Sequence, residues 1–316
     1  MRRVLVVLVL VVLALSAGAI GAAWAPDRPV ESLLARWAHA PSRFVDVDGM
    51  RVHLRDEGPR DDPVPIVLIH GTSASLHTWE GWAAALRQER RVVSFDLPGF
   101  GLTGPSVDGD YSIAAYTRFV LILLDALKID RCVLGGNSLG GEIAWHVAAA
   151  APRRVDRLVL VDAGGYAFKS KSVPIGFRLA RVPFLRDLAS QLLPRILVER
   201  SVREVYGDPS RVSNALVDRY YELTLREGNR RALVQRFEQL QPGADAALIR
   251  GLRLPTLIIW GGRDRLIPPE AANDFAGDIA GSRRVVFDEL GHVPHEEDPA
   301  RSVAAVMGFL EMAPGR

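Results

Sequence analysis

The sequence predicts an α/β protein, a doubly wound and mostly parallel sheet carrying an inserted helical lid. Three observations predict it. Short apolar runs recur at 65–69, 91–95, 132–134, 158–161, 257–260 and 284–287. None alternates apolar with polar residues, as expected of strands covered on both faces. Helical segments at 79–88, 114–127 and 140–150 lie between them, the strand–helix succession of a parallel sheet. The polar motifs fall where strands end, which is where such a sheet binds ligands.

The elements follow in order. Segments 43–47 and 50–55 flank Asp48-Gly49, a strong hairpin signal. The run 65–69 stops at His70-Gly71 and the run 91–95 at Asp96. Residues 165–250 contain no convincing strand. They read as helices with apolar faces that include Phe177, Phe184, Leu185, Leu188, Leu192 and Leu193, and they carry 15 basic and nine acidic residues. The core therefore spans 42–164 and 251–316, with the lid at 165–250. A chain of 316 residues suits one such domain plus an extension.

That extension is the N-terminus. Arg2 and Arg3 precede an apolar or small-residue run over 4–25, and about 20 such residues cross a bilayer as a helix. The expectation is a single-pass membrane protein with the rest of the chain outside the cytoplasm, because positive charge stays inside. The alternative is a signal peptide cleaved after Ala23-Trp24-Ala25, giving a secreted or periplasmic protein. Pro26 is unfavourable directly after such a site. Residues 26–41 read as a linker around Leu33, Leu34 and Trp37.

Composition excludes several classes. The single cysteine, Cys132, permits no intrachain disulfide. No Cys/His cluster has zinc-ligand spacing. A net charge of +2 without a basic stripe gives no reason to expect a nucleic-acid partner.

The chemistry centres on Gly136-Asn137-Ser138-Leu139-Gly140, between the strand at Cys132 and the helix of 140–150. A G-x-S-x-G motif in strand–turn–helix context is a nucleophile elbow. Glycines two residues to either side free a strained turn from collisions, and the helix N-terminus faces a developing oxyanion. A serine hydroxyl needs a base, and the base an orienting acid. Downstream, Asp264 follows the run 257–260 and His292 follows the run 284–287, the order an elbow requires. His295 is the rival base and Asp162, at the end of 158–161, the rival acid. His70 reads as a loop brace, His146 as packed core, and His77 as structural or pocket-lining. His39 and His53 are remote from the strand ends. Asp96 starts a turn and bonds backbone amides. The oxyanion hole would use the amides of Leu139 and Thr72, with Ser73 as rival to Thr72.

Together these motifs, with Asp96-Leu97-Pro98-Gly99-Phe100-Gly101 and Gly262-Arg263-Asp264, resemble the α/β-hydrolase superfamily over residues 42–312. Within it the chain is similar to lidded bacterial esterases and lipases, including membrane-bound monoacylglycerol lipases. The resemblance implies cleavage of a small or lipid-like carboxylic ester through an acyl-enzyme, without metal or organic cofactor. The elbow is also similar to that of hydrolases that cleave carbon–carbon bonds in aromatic ring-fission products. Those typically carry tryptophan after the catalytic histidine, where this chain has Val293. The alternative is thus a carbon–carbon or lactone hydrolase with the same triad. A non-catalytic ligand receptor is a third reading, against which the intact serine, acid and histidine stand. Serine at 138 argues against the dehalogenases and epoxide hydrolases of this fold, which use aspartate.

Overall fold

Fully apolar strands need cover on both faces, and helices supply it on each side of one eight-stranded sheet. The computed structural model describes residues 23–174 and 191–312, together with Leu10, Gly18, Gly21, Phe177 and Arg178. The strands are β1 (Ser42–Val47), β2 (Met50–Glu57), β3 (Ile66–Ile69), β4 (Val92–Phe95), β5 (Cys132–Asn137), β6 (Val155–Val161), β7 (Thr256–Gly261) and β8 (Arg283–Phe287). They lie in the order β1-β2-β4-β3-β5-β6-β7-β8. β1 and β2 form the Asp48-Gly49 hairpin, β2 joins β4 antiparallel, and every later pairing is parallel. β3, β4, β5 and β7 are buried along their whole length, which explains why their sequences do not alternate.

The described helices are α1 (Glu31–Trp37), α2 (Glu80–Leu86), α3 (Ile113–Ala126), α4 (Leu139–Ala150), α5 (Arg195–Val205), α6 (Asn214–Thr224), α7 (Asn229–Glu238), α8 (Ala271–Asp278), α9 (Pro294–Glu297) and α10 (Pro299–Leu310). α3, α4 and α8 close one face of the sheet over a core that includes Phe95, Phe119, Trp145, Trp260 and Phe275. α2, the 3-10 turn Leu76–Trp79 before it and α10 close the other through Trp79, Trp82, Val303 and Phe309. The buried Trp82 Nε1–H donates to Ser302 Oγ at 2.8 Å, pinning α2 to α10. Ser112 caps α3 by accepting the Ala115 N–H, as a residue at that position does when it relieves an orphan donor.

α5, α6 and α7 lie between β6 and β7, over the strand ends. Of the apolar residues expected there, Phe184, Leu185 and Leu188 lie outside the described residues. Residues 26–41, expected as a linker, are instead docked. Leu33 on α1 is fully buried with Leu102 and Leu223, and Trp37 Nε1–H donates to Glu222 at 2.7 Å. The backbone of 23–28 is paired as well. Ala25 N–H donates to the Gln191 carbonyl and Arg28 N–H to that of Leu225.

The expected membrane localisation is corrected. Among the described residues no helix is long and apolar enough to cross a membrane. Most of the run over 4–25 on which that expectation rested lies outside the described residues. The few residues at its end, 23–25, are tied to the segment at 191–193 rather than held away from the domain.

Ser302→Ala would strand the buried Trp82 N–H. Urea unfolding should show a loss of about 1–3 kcal/mol. A cycle with Trp82→Phe should be less than additive, because the second change removes the donor that the first leaves unpaired.

Candidate active site

The turn after β5 is set by what glycine leaves out. Ser138 has φ 54° and ψ −116°, a conformation costly for a residue with a side chain. A Cβ at Gly136 would lie 2.2 Å from the Gly140 carbonyl oxygen, and one at Gly140 would lie 2.1 Å from that of Ile69. The turn is then locked by backbone bonds. Ser138 N–H donates to the Val161 carbonyl, and the Ser138 carbonyl accepts from Glu142 and Gly164, each at 3.0 Å. Leu139 opens α4, where an amide has no intrahelical acceptor. Thr72 and Gly71, in the loop after β3, line the same cavity as Ser138 and Leu139.

Asp264 and His292 meet beside it. Asp264 Oδ2 lies 2.7 Å from His292 Nδ1, while Asp264 Oδ1 accepts the N–H groups of Leu266 at 2.8 Å and Ile267 at 3.0 Å. The histidine backbone is held at both ends. Its N–H donates to Val205 at 2.7 Å, and its carbonyl accepts from Asn137 Nδ2 at 3.0 Å. His292 Nε2 is buried and has no hydrogen-bond partner, so no bond joins it to the Ser138 hydroxyl. Both side chains border a cavity of about 710 Å³. Catalytic hydrogen bonds are often long before substrate binds.

The rivals are placed elsewhere. His295 is fully buried against Trp79 and its Nε2 bonds to Thr78 Oγ1 at 2.9 Å. It does not line the cavity. Asp162 is buried immediately behind Asp264. His70 is the brace its position suggests: Nδ1–H donates to the Gly71 carbonyl at 2.7 Å and Nε2 accepts the Leu97 N–H at 3.0 Å. His77 is structural, bonded to the Trp37 carbonyl and to Ser75 Oγ. His146 is half-buried and bonds to the Glu142 carbonyl and to Asp245. Asp96 accepts the amides of Leu76 and Leu102, and it also takes His53 Nδ1 at 2.7 Å. Burial would raise the Asp96 carboxyl, yet His53 holds it well below the ordinary carboxylate range.

Sequence reasoning missed the charged residues on the cavity wall, Glu142, Arg230, Arg231, Arg236 and Glu238, of which Glu142 and Arg236 face each other. Glu142 stands four residues after Ser138 on α4, so helical spacing alone puts it one turn away on the same face. Burial raises its carboxyl above the ordinary range, against the pull of Arg236. The two approach no closer than 3.9 Å. Arg236 is 3% exposed, and its Nε and Nη1 have no partner. No local pattern in α7 marks Arg236 as different from Arg230, which is buried and paired with Asp27, or from Arg231, which is exposed. The remaining wall is largely apolar, with Phe168, Phe177, Leu192, Leu193, Val198 and Val293.

Comparison with known proteins agrees with this architecture. Residues 64–299 match the family model described as the alpha/beta hydrolase fold. A 2-hydroxymuconate semialdehyde hydrolase from Pseudomonas sp. (strain CF600) is 31% identical over 282 residues, covering 86% of this chain and 94% of that protein. A variant of the meta-cleavage product hydrolase CumD of Pseudomonas fluorescens IP01 is similar in structure, with TM-score 0.74 and 25% identity over 86% of this chain and 98% of that one. A membrane phospholipase A, described as a bacterial virulence factor, also has TM-score 0.74 and 25% identity, over 98% of both chains.

The buried imidazoles bracing these loops give the fold a defined pH dependence. Burial pushes His77 down to about 4, and lowers His70 and His295. An unfolded histidine titrates at about 6.5. The unfolded chain therefore binds more protons below that pH, so stability is complete above about 6.5 and, for His77, is lost as pH falls toward about 4. Urea unfolding at pH 7 and at pH 5 should show the decline, at most about 1.4 kcal/mol per pH unit for each histidine. His77→Gln should remove its share of the decline and leave that of His70 and His295.

Proposed function

Because this chain belongs to the α/β-hydrolase family, we propose that it is a serine hydrolase in which Ser138 is the nucleophile, His292 the general base and Asp264 the acid that orients the imidazole. The single observation that carries this reading is the 2.7 Å Asp264–His292 bond, which leaves the opposite imidazole nitrogen unpartnered at the wall of the cavity that Ser138 lines. The acid fixes the tautomer, so Nε2 keeps the lone pair that takes the hydroxyl proton. The amides of Leu139 and Thr72 hold the oxyanion.

For substrate class, the named relatives favour the carbon–carbon alternative over the ester expected first. We therefore assign a carbonyl compound in which a carbon–carbon bond is cleaved next to a ketone and the leaving carbon is stabilised through a conjugated acid. Ser138 attacks the ketone and His292 takes its proton. Before that attack the 2-hydroxydienoate ketonises, its enol proton ending on the carbon beside the ketone. On cleavage that carbon departs as an anion delocalised into the new carbonyl, takes the proton held by His292, and water then releases the acyl group. Arg236 supports this choice. Its Nε and Nη1 carry donors with nothing to bond inside a mostly apolar cavity, and a buried unpaired donor is costly. A substrate carboxylate would satisfy them.

A second reading, hydrolysis of a carboxylic ester with an apolar acyl chain, is favoured by Val293, which stands where the ring-fission hydrolases carry tryptophan. The likeness to a phospholipase A over nearly the full chain also supports it.

Ser138→Ala should lower kcat by several orders of magnitude for any substrate while the circular dichroism spectrum is unchanged. Turnover within tenfold of the native rate would remove the assignment.

Arg236→Met decides between the substrate classes. Wild type should prefer a 2-hydroxy-6-oxo-dienoate over its methyl ester by tenfold or more in kcat/KM, and the variant should lose that preference. If wild type ignores the dienoate and cleaves p-nitrophenyl esters of long acyl chains, the ester reading stands instead.

A further inference from the structure

Asp162 is the acidic residue next to the site for which the proposed chemistry has no use. It terminates β6 with φ 44°, and its carboxyl is fully buried. Oδ1 accepts the Gly261 N–H at 2.9 Å. Oδ2 is buried and receives no hydrogen bond. One side-chain atom each from Asp162, Asp264 and His292 lies within 4.8 Å of the other two. Two buried carboxyls thus adjoin one imidazole, and among the described residues no arginine or lysine bonds to either of them.

Two carboxylates sharing a site do not both ionise, because their repulsion in a medium of low dielectric is too large. The question is which of them holds the proton. Asp264 has three donors directed at it: the amides of Leu266 and Ile267 and the His292 imidazole. Asp162 has one, the Gly261 amide. Donors favour the charged form where they are more numerous, so Asp264 is the carboxylate and Asp162 the acid.

We propose that Asp162 carries a proton on Oδ2 and donates it in a hydrogen bond to the Asp264 carboxylate, and so acts as a positioning residue for His292. An ionised carboxylate has about four acceptor sites. Three on Asp264 are already filled, and the Asp162 O–H fills the fourth. The same hydrogen bond gives Asp162 Oδ2 its only partner. The charged or titratable groups facing Asp162 are Asp264 from the loop after β7, His292 from the loop after β8 and, farther off, Glu297 from α9. Burial raises the Asp162 carboxyl well above its ordinary value, and the charge of Asp264 and a hydrogen bond to it act in the same direction. A small cation fits less well, because the imidazole nitrogen facing the acids is already bonded to Asp264.

The consequence is a damped base. An O–H donated to Asp264 spreads its negative charge and weakens its hold on the imidazolium. The proton also prevents Asp264 from rotating its Oδ2 away from Nδ1.

This inference rests on His292 being the base, and one assay tests both. The pH dependence of kcat/KM for p-nitrophenyl acetate is measured for wild type, Asp162→Asn, Asp162→Ala and Ser138→Ala. Asparagine keeps both bonds: its Oδ1 accepts from Gly261 and its Nδ2 donates to Asp264. Its acidic limb should therefore lie within about 0.2 pH unit of wild type. Alanine removes the donor, so its limb should move to higher pH by half a unit or more, with kcat reduced three- to tenfold. If Asp162 were ionised, Asp162→Asn would delete a charge beside His292 and move the limb to lower pH. That result, or an alanine limb that coincides with wild type, overturns the inference while the triad stands. Should the alanine variant fail to fold, the asparagine limb alone decides. Undiminished turnover by Ser138→Ala overturns both.

Discussion

Three stretches of backbone crowd the space around Ser138, and the absence of two side chains is what lets them share it. The carbonyl of Ile69 at the end of β3 approaches Gly140, and the carbonyl of Gly140 approaches Gly136. With any Cβ at either position the helix α4 would have to back away from the sheet. The serine would then leave the rim, Leu139 would lose its place as the first helical amide, and the loop carrying Thr72 would no longer face it. Gly71 shows the same closeness from the other side, since a Cβ there would lie 3.1 Å from Ser138 Cβ. The positive φ at Ser138 is the conformational cost of this packing. It is sustained by backbone bonds to β6 and to the loop after it, which no side-chain substitution elsewhere removes directly.

The histidine is positioned by a different principle. It sits on a loop, and loops hold a side chain only if their own polar groups are satisfied. Two adjacent carboxylates on α9 do much of this. Glu297 accepts the amides of Gly207, Asp208 and Gly291. Glu296 pairs with Arg219 and accepts from Tyr206 and Tyr220. One partner, Gly291, belongs to the histidine loop, and the others belong to the insertion between β6 and β7. The insertion is thereby fastened to the turn that follows His292. Buried ion pairs of this kind add little net stability, since desolvation offsets most of the attraction. They do select one arrangement, because leaving either partner alone would be far costlier.

Much of this was legible in the sequence because it depends on local constraints. Strand positions followed from apolar runs, and their ends from the polar residues that stop them. The elbow followed from glycine spacing, and Asp264 and His292 from their places after two strands. His70 and Asp96 read correctly as loop braces because both adjoin turns. The illegible part is long-range. Nothing near His53 says that it bonds to Asp96 across 43 residues. Nothing in residues 26–41 says that α1 packs against α6, since Leu33 finds its partners near positions 102 and 223. The apolar run at the N-terminus satisfied a composition rule for membrane helices. A composition rule cannot see that the chain emerging from the run pairs with positions 191–193. Glu142 stands between these cases, predictable by helical spacing from Ser138 but not by any motif.

The division between readable and unreadable also separates reaction from substrate. The chemistry at the rim needs residues at strand ends, which a shared fold places in the same way whatever the molecule bound. What enters the cavity is decided by its walls, and these come from the insertion, from α4 and from the loops, where sequence offers little periodic signal. Apolar side chains there accept many ligands at similar cost, since each buried methylene contributes only about 0.8 kcal/mol. A buried charged donor discriminates far more strongly, because a ligand that fails to pair with it leaves it unsatisfied. In the reading proposed above, Arg236 is a residue through which the cavity distinguishes one carbonyl compound from another. Glu142, four residues from Ser138 and with its carboxyl raised by burial against the pull of Arg236, is the acidic side chain that faces that guanidinium.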